Sequence, residues 1–323
     1  MALFNKPNLR SKPNIDTGFT NIASGNAGRF LNRDGSFNIT REGVPFFRRI
    51  NIYNELLNLS SIKFLAVTLL AILFMNLLFT SIYYALGLHH FAGFITTNNW
   101  GQLKEIFYFS AQTFTTVGYG RINPTGDAVN IVASIEAVTG FLSFAFITGL
   151  LYGRFTKPEA NLVFSEMAVV APYQDITGLM FRFAASKDTQ ALSDVLVQVN
   201  LGMLVTDNEK PVYKFYELPL ERTHVESLSM NFTVVHPIDD KSPLWQFTED
   251  DYEKADVELY ILVRAFNDVY SATVQARTSY IYSEIKHGVK FAPMYRESQD
   301  GNTSILEMQH LNKLIKLPSS SIK

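Results

Sequence analysis

Two long apolar runs, with the loop TTVGYG (115–120) between them, set the terms for what this chain can fold into. The first, FLAVTLLAILFMNLLFTSIYYALGL (Phe64–Leu88), holds no charged residue across 25 positions; the second, Ala128–Tyr152, holds one, Glu136. About 20 apolar residues rising 1.5 Å each cross a hydrocarbon core of about 30 Å, so each run is long enough to span a membrane. The stretch QLKEIFYFSAQTF (102–114) that leads into the loop is too short and too polar to span, yet long enough for a re-entrant helix. Non-helical backbone at membrane depth is tolerated only where protein buries it or where it lines a water-filled path. The loop must therefore answer to one of those two conditions.

Basic residues set the orientation. Arg41, Arg48, Arg49 and Lys63 precede the first run, and Arg154 and Lys157 follow the second. The connector 89–127 offers Lys104 and Arg121 against Glu105 and Asp127. The positive-inside rule then places both termini in the cytoplasm and the connector outside, in the inner (plasma) membrane of a cell. The start MALFNKPNLRSKPN is polar and no apolar stretch follows it, so no secretory leader is expected. Residues 1–28 are rich in Asn, Ser, Pro and Gly. Asp34-Gly35 beside the alternating run Ser36–Thr40 predicts a turn and a short strand. In INIYNELLNLSS, Ile50, Tyr53, Leu56 and Leu57 fall at helical spacing, which suits an amphipathic helix lying flat on the membrane surface.

After Arg154 the pattern changes to period 2, as in Val195, Val197, Val199 and Leu201, with turn residues such as TDNEKP and HPIDDKSP between segments. Several short alternating strands at this spacing predict an all-β sandwich of roughly 150 residues. The expected domains are a cytoplasmic N-terminal segment (1–45), an interfacial helix (46–60), a membrane domain (61–155) and a cytoplasmic β-sandwich with a C-terminal tail (156–323). A mean hydropathy of +0.06 suits a chain that is half membrane and half water-soluble. The net charge of −2 argues against a nucleic-acid partner, and the lack of cysteine excludes disulfides, thiolate metal sites and a cysteine nucleophile. No GxGxxG follows a strand, no P-loop is present, and no Ser/His/Asp spacing or carboxylate pair suggests an enzyme.

The loop composition points to ion chemistry. A dehydrated potassium ion needs a cage of oxygens in place of its water, which a narrow run of backbone carbonyls repeated around a symmetry axis provides. Aiming successive carbonyls one way requires alternating backbone hand, and Gly118 and Gly120 allow φ > 0 without steric cost. Thr116 adds a hydroxyl at the inner end, while Val117 and Tyr119 brace the strand from behind. The C-terminal end of the re-entrant helix, with its partial negative charge, favours a cation in the cavity below.

The segment FSAQTFTTVGYG, the N-terminal NRDGSFNITREG and the exit GLLYGRFTKPEANLVF resemble prokaryotic inward-rectifier (Kir-type) potassium channels, and MAVVAPY and VQARTSYIY extend the likeness into the β domain. The resemblance implies a homotetramer with an interfacial slide helix at about 46–59. It also implies a pore domain of outer helix, pore helix, filter and inner helix, and a cytoplasmic immunoglobulin-like sandwich. It implies permeant potassium ions, no organic cofactor and no enzymatic activity. Carried over by position, Thr116, Val117, Gly118 and Tyr119 supply the carbonyls that hold potassium, and Gly120 closes the filter outside. Phe144, Thr148 and Tyr152, four residues apart, would line the cavity, with Tyr152 at the gate where the inner helices cross. Gly140 and Gly149 are either hinges or close-packing points.

Several positions depart from the family pattern. Strong rectifiers place an acid where this chain has Phe144, so only weak rectification is expected. Glu136 is read as a buried support behind the filter, with a functional role as the alternative. Arg121, where many prokaryotic potassium channels carry Asp, is expected to pair with Glu105 or Asp127. Arg48, Arg49, Arg154 and Lys157 are candidates for anionic lipid, although topology alone also places cations there. His89, His90, His224, His236, His287 and His310 show no metal-ligand spacing and are expected at the surface or at strand ends. A transporter subunit with the same filter would carry four such loops, and a nucleotide- or calcium-gated channel would carry an α/β domain after the second span.

Overall fold

The computed structural model describes residues 8, 11, 29–40, 42, 43, 45, 51–186, 192–207 and 210–317. The chain divides into two compact units, one of residues 42–157 and one built from the N-terminal segment together with 158 onwards.

In the first unit, helix α1 (Ile52–Asn58) starts at Asn51, whose side chain accepts the Asn54 N–H at 3.2 Å. Leu59 and Ser60 are extended, and this break separates α1 from α2 (Ser61–Leu86), which stops at Gly87, where φ is +105°. The expected interfacial helix is thus a two-turn element, and residues 46–50 lie outside the described residues. A short ribbon of β1 (Phe91–Ala92) and β2 (Asn123–Pro124) brackets α3 (Asn99–Phe114), which Asn98 caps by accepting the Gly101 N–H at 2.5 Å. Helix α4 (Asp127–Phe155) follows, with Asp127 in its first turn, where a carboxylate suits the helix dipole. The helices meet around Phe79, Tyr83, Phe91, Ile106, Phe109, Ile122 and Val129. Only 17% of the most apolar window of α2 and 11% of that of α4 is covered within the chain. Leu70, Phe74, Phe141 and Phe146 stand exposed, so both helices need lipid or further copies of the chain around them.

The second unit is a sandwich of two five-stranded sheets. One runs β11 (Ala272–Ile281), β10 (Glu258–Asn267), β6 (Leu192–Asp207), β7 (Lys210–Glu217), with β8 (His224–Leu228) also on β6. The other runs β12 (Ile285–His287), β4 (Ala168–Tyr173), β5 (Ile176–Ala185), β3 (Leu162–Phe164), with β9 (Asn231–Ile238) on β5. Val195, Val197, Val199 and Leu201 all face the shared core, as period 2 demands of a half-buried strand. Two further ribbons, β13 (Val289–Phe291) with β16 (Leu314–Lys316) and β14 (Tyr295–Glu297) with β15 (Ser304–Leu306), follow.

Two expectations change here. The run Ser36–Thr40 forms no strand; a single bridge, Leu31 to Phe37, closes the turn, and the segment docks on the sandwich instead. There the Glu258 carboxylate accepts the N–H groups of Phe30 (3.1 Å) and Leu31 (3.3 Å), and Arg29 pairs with Glu284. His236 is not a surface residue but lies in β9, only 2% exposed, between the Pro219 carbonyl and the Ser242 hydroxyl at 2.7 Å each. Burial lowers its pKa below the ordinary histidine value.

Candidate functional site

Helix α3 runs directly into TTVGYG. The Gln112 carbonyl accepts the N–H groups of both Val117 (2.9 Å) and Gly118 (3.3 Å), and the Thr113 carbonyl accepts that of Thr116 (3.0 Å). The strand is thereby hung from the last turn of the helix. Its φ angles are positive at Thr116 (+60°), Gly118 (+55°) and Gly120 (+79°), while Val117 and Tyr119 between them are not in that region. Alternation of hand is the backbone condition for a run of carbonyls on one side. Both glycines take the conformation their lack of Cβ permits, but so does Thr116, at a cost of about 1–2 kcal/mol for an L-residue. The Gly120 carbonyl accepts the Asn123 side-chain N–H at 2.8 Å. Val117 and Tyr119 are 53% and 79% exposed within one chain.

Just after Gly120, Arg121 Nη1 donates to Glu105 Oε2 at 2.7 Å and to the Gly93 carbonyl at 3.2 Å. Of the two candidate partners for Arg121, Glu105 is the one it meets. Glu105 also accepts the Ile95 and Thr96 N–H groups and the Thr96 hydroxyl. The Thr96 hydroxyl, then the Arg121 guanidinium, hold the Glu105 carboxyl down at about 2. Gly93, at φ +96°, is needed: a Cβ there would sit 1.9 Å from the Arg121 carbonyl oxygen.

On α4, Glu136 is fully buried. Its Oε2 accepts the Tyr83 hydroxyl and its Oε1 the Ser110 hydroxyl, each at 2.5 Å. The Asn76 side-chain oxygen lies 3.2 Å from the same Ser110 hydroxyl, and Asn76 Nδ2 donates to the Ile72 carbonyl at 2.9 Å. One polar cluster thus ties α2, α3 and α4 together. Sequence reasoning does not single out Tyr83, Ser110 or Asn76; the available signal is a polar residue in a charge-free run.

Along α4, Phe144, Thr148 and Tyr152 are exposed, with Phe144 and Tyr152 each 71% so. The Thr148 hydroxyl donates to the Phe144 carbonyl at 2.9 Å. Thr116, Gly140 and Phe144 share the lining of a recess of about 330 Å³. Gly140 is a point of close approach, since a Cβ there would lie 1.8 Å from the Phe114 carbonyl oxygen; Gly149 has nothing within 4 Å. Arg154 and Lys157 both reach α1, Lys157 Nζ donating to Asn58 Oδ1 at 2.7 Å. Arg48 and Arg49 lie outside the described residues. Among the described residues no cluster of three or more His, Asp or Glu forms a metal site.

Residues 162–323 match the family model for the inward rectifier potassium channel C-terminal domain, and residues 68–157 match an ion channel model. The inward rectifier potassium channel Kirbac3.1 of Paramagnetospirillum magnetotacticum is 30% identical over 278 residues, 86% of this chain and 92% of its own. The mouse ATP-sensitive inward rectifier potassium channel 14 is 26% identical over 67% of this chain, which spans about half (51%) of that relative. The G protein-activated inward rectifier potassium channel 2 of Pongo abelii is 26% identical over 82% of this chain and 67% of its own. A solved structure of Spo0M, a sporulation control protein from Bacillus subtilis, aligns with 40% of this chain and 49% of its own at a TM-score of 0.22 and 8% identity, too slight a likeness to speak to the fold. With two membrane-length helices, a β-sandwich and these matches along its length, the chain belongs to the inward rectifier potassium channel family.

Proposed function

We propose that four copies of this chain assemble around one axis and conduct potassium passively through the strand 116–120. The alternating backbone hand at Thr116, Gly118 and Gly120 is the observation that carries this reading. One such strand per chain cannot enclose an ion, and the uncovered Val117 and Tyr119 side chains leave the wall to be completed by neighbours. In this reading the carbonyls of Thr116, Val117, Gly118 and Tyr119 replace the ion's water, and Gly120, its carbonyl held by Asn123, closes the outer end. Phe144 and Thr148 line the cavity and Tyr152 forms the gate. An aromatic ring at 144 offers no charge to hold a blocking cation, which supports weak rectification. Both termini lie in the cytoplasm, and potassium is the permeant ion, with no organic cofactor.

Of the lipid candidates, Arg154 and Lys157 are engaged by α1, so any anionic-lipid contact falls chiefly to Arg48 and Arg49. Purified protein in liposomes should take up rubidium against trapped potassium, and barium should block the uptake. Gly118→Ala, which places a Cβ at positive φ, should abolish it while leaving the assembly intact. Unchanged uptake in that variant would reject the strand as the conduction path.

A further inference from the structure

The second span ends on an arginine turned inward on the protein. Arg154 Nη1 donates to the carbonyls of Leu56 (2.8 Å) and Leu57 (3.2 Å), and its Nη2 to that of Leu59 (2.7 Å). Its guanidinium carbon also lies 4.7 Å from the centroid of the Phe64 ring. These carbonyls belong to the open C-terminal end of α1, a seven-residue helix with no basic residue in its own last turn. Such a short helix is marginal by itself, and its terminal carbonyls need donors from elsewhere. Beside Arg154, Gly153 gives α1 side chains a surface to pack on, since a Cβ there would sit 3.3 Å from both Leu57 Cδ2 and the Tyr53 hydroxyl. Lys157 adds its bond to Asn58.

We propose that Arg154 is a positioning residue that locks α1 onto the end of α4, so that the two move as one body and α1 sets the position of Tyr152. This rests on the reading of Tyr152 as the gate. The guanidinium is committed to capping a helix and not to a lipid phosphate. The distinction is chemical. A planar guanidinium forks to three carbonyls at once, whereas a lysine ammonium supplies the same charge without that geometry. If charge towards lipid were the role, lysine would serve; if the fork is, it fails.

The test uses the full-length assembly in phosphatidylcholine vesicles with and without phosphatidylglycerol, comparing Arg154→Lys and Arg154→Gln with the unaltered chain. Hydrogen exchange reads the amides of 52–59, and barium-sensitive rubidium uptake reads the gate. Both variants should speed exchange about tenfold or more, the equivalent of losing one or two charge-assisted hydrogen bonds. Both should shift uptake in the same direction and keep the original response to phosphatidylglycerol. Normal behaviour of Arg154→Lys, loss of the lipid response in Arg154→Gln, or faster exchange without altered uptake would each overturn the proposal. Tyr152→Ala, run alongside, reports on the gate separately. If it leaves uptake unchanged the gate reading fails, while the exchange result still decides whether Arg154 holds α1.

Discussion

The Glu136 carboxylate of the second span accepts the Tyr83 hydroxyl of the first at 2.5 Å, while the Ser110 hydroxyl of the short helix between them reaches its other oxygen at the same distance. Three helices are thus pinned at one buried point. Removing the carboxylate leaves the buried Tyr83 hydroxyl without its acceptor, at a cost of about 1–3 kcal/mol, while the Ser110 hydroxyl can still turn to Asn76, whose carbonyl and side-chain oxygens each lie 3.2 Å away. Glu136→Ala should therefore lower the temperature at which the purified assembly dissociates, and Glu136→Gln should do so less. The Tyr83→Phe/Glu136→Ala pair should cost less than the two single changes summed. Strict additivity would show that the two groups act independently.

Two of the three glycines of α4, Gly140 and Gly149, separate cleanly. At Gly140 a methyl group would drive into the Phe114 carbonyl, which is backbone and cannot yield. Gly140→Ala should disrupt the junction between the end of α3 and the segment 116–120 and impair assembly on size exclusion. Gly149→Ala should assemble normally, with about 1 kcal/mol of helix propensity in its favour. If Gly149→Ala assembles but conducts abnormally, a hinge at 149 is indicated.

The Arg121–Glu105 pair ties the segment that follows Gly120 back onto α3. The carboxyl pKa is depressed to about 2, so the pair's contribution is complete above the ordinary carboxylate range and is lost only as pH falls towards 2. Rubidium uptake should show no titration from this pair between about pH 5 and pH 8. Arg121→Gln should reduce thermal stability with little change in uptake, and a large gain in inward current would mean that the arginine repels entering cations.

At the N-terminal strap the sign is opposite. Burial, only partly offset by bonds from Phe30, Tyr260 and Leu31, raises the Glu258 pKa. The folded state then binds the proton more tightly than the unfolded chain. This contribution to stability is greatest below the ordinary carboxylate range and declines as pH rises through the raised value. As pH rises above the ordinary carboxylate range, the unaltered protein should lose more thermal stability than Glu258→Gln. An identical loss in both would show that Glu258 does not titrate there.

Much of this is legible in the amino-acid sequence. Charge-free length marks the spans, period 2 puts Val195, Val197, Val199 and Leu201 in the sandwich core, and the glycines at 118 and 120 announce the left-handed positions. What escapes is tertiary. A threonine at φ +60° has no sequence signature, because the helix end that hangs the strand imposes it. Glu258 and Phe30 meet across 228 residues, a separation no local pattern reveals. His236 is expected from sequence at the surface or a strand end, yet its ring is satisfied from both sides within the sandwich. Arg154 fits topology and lipid equally well by position, and only the open carbonyls of α1 tell what its guanidinium touches.

The central claim is that the strand 116–120 selects potassium. Purified protein in a planar bilayer, with potassium on one side and sodium on the other, tests it through the reversal potential. A strongly shifted potential favouring potassium, with current blocked by barium, is the predicted result. A barium-sensitive current reversing near zero would contradict it.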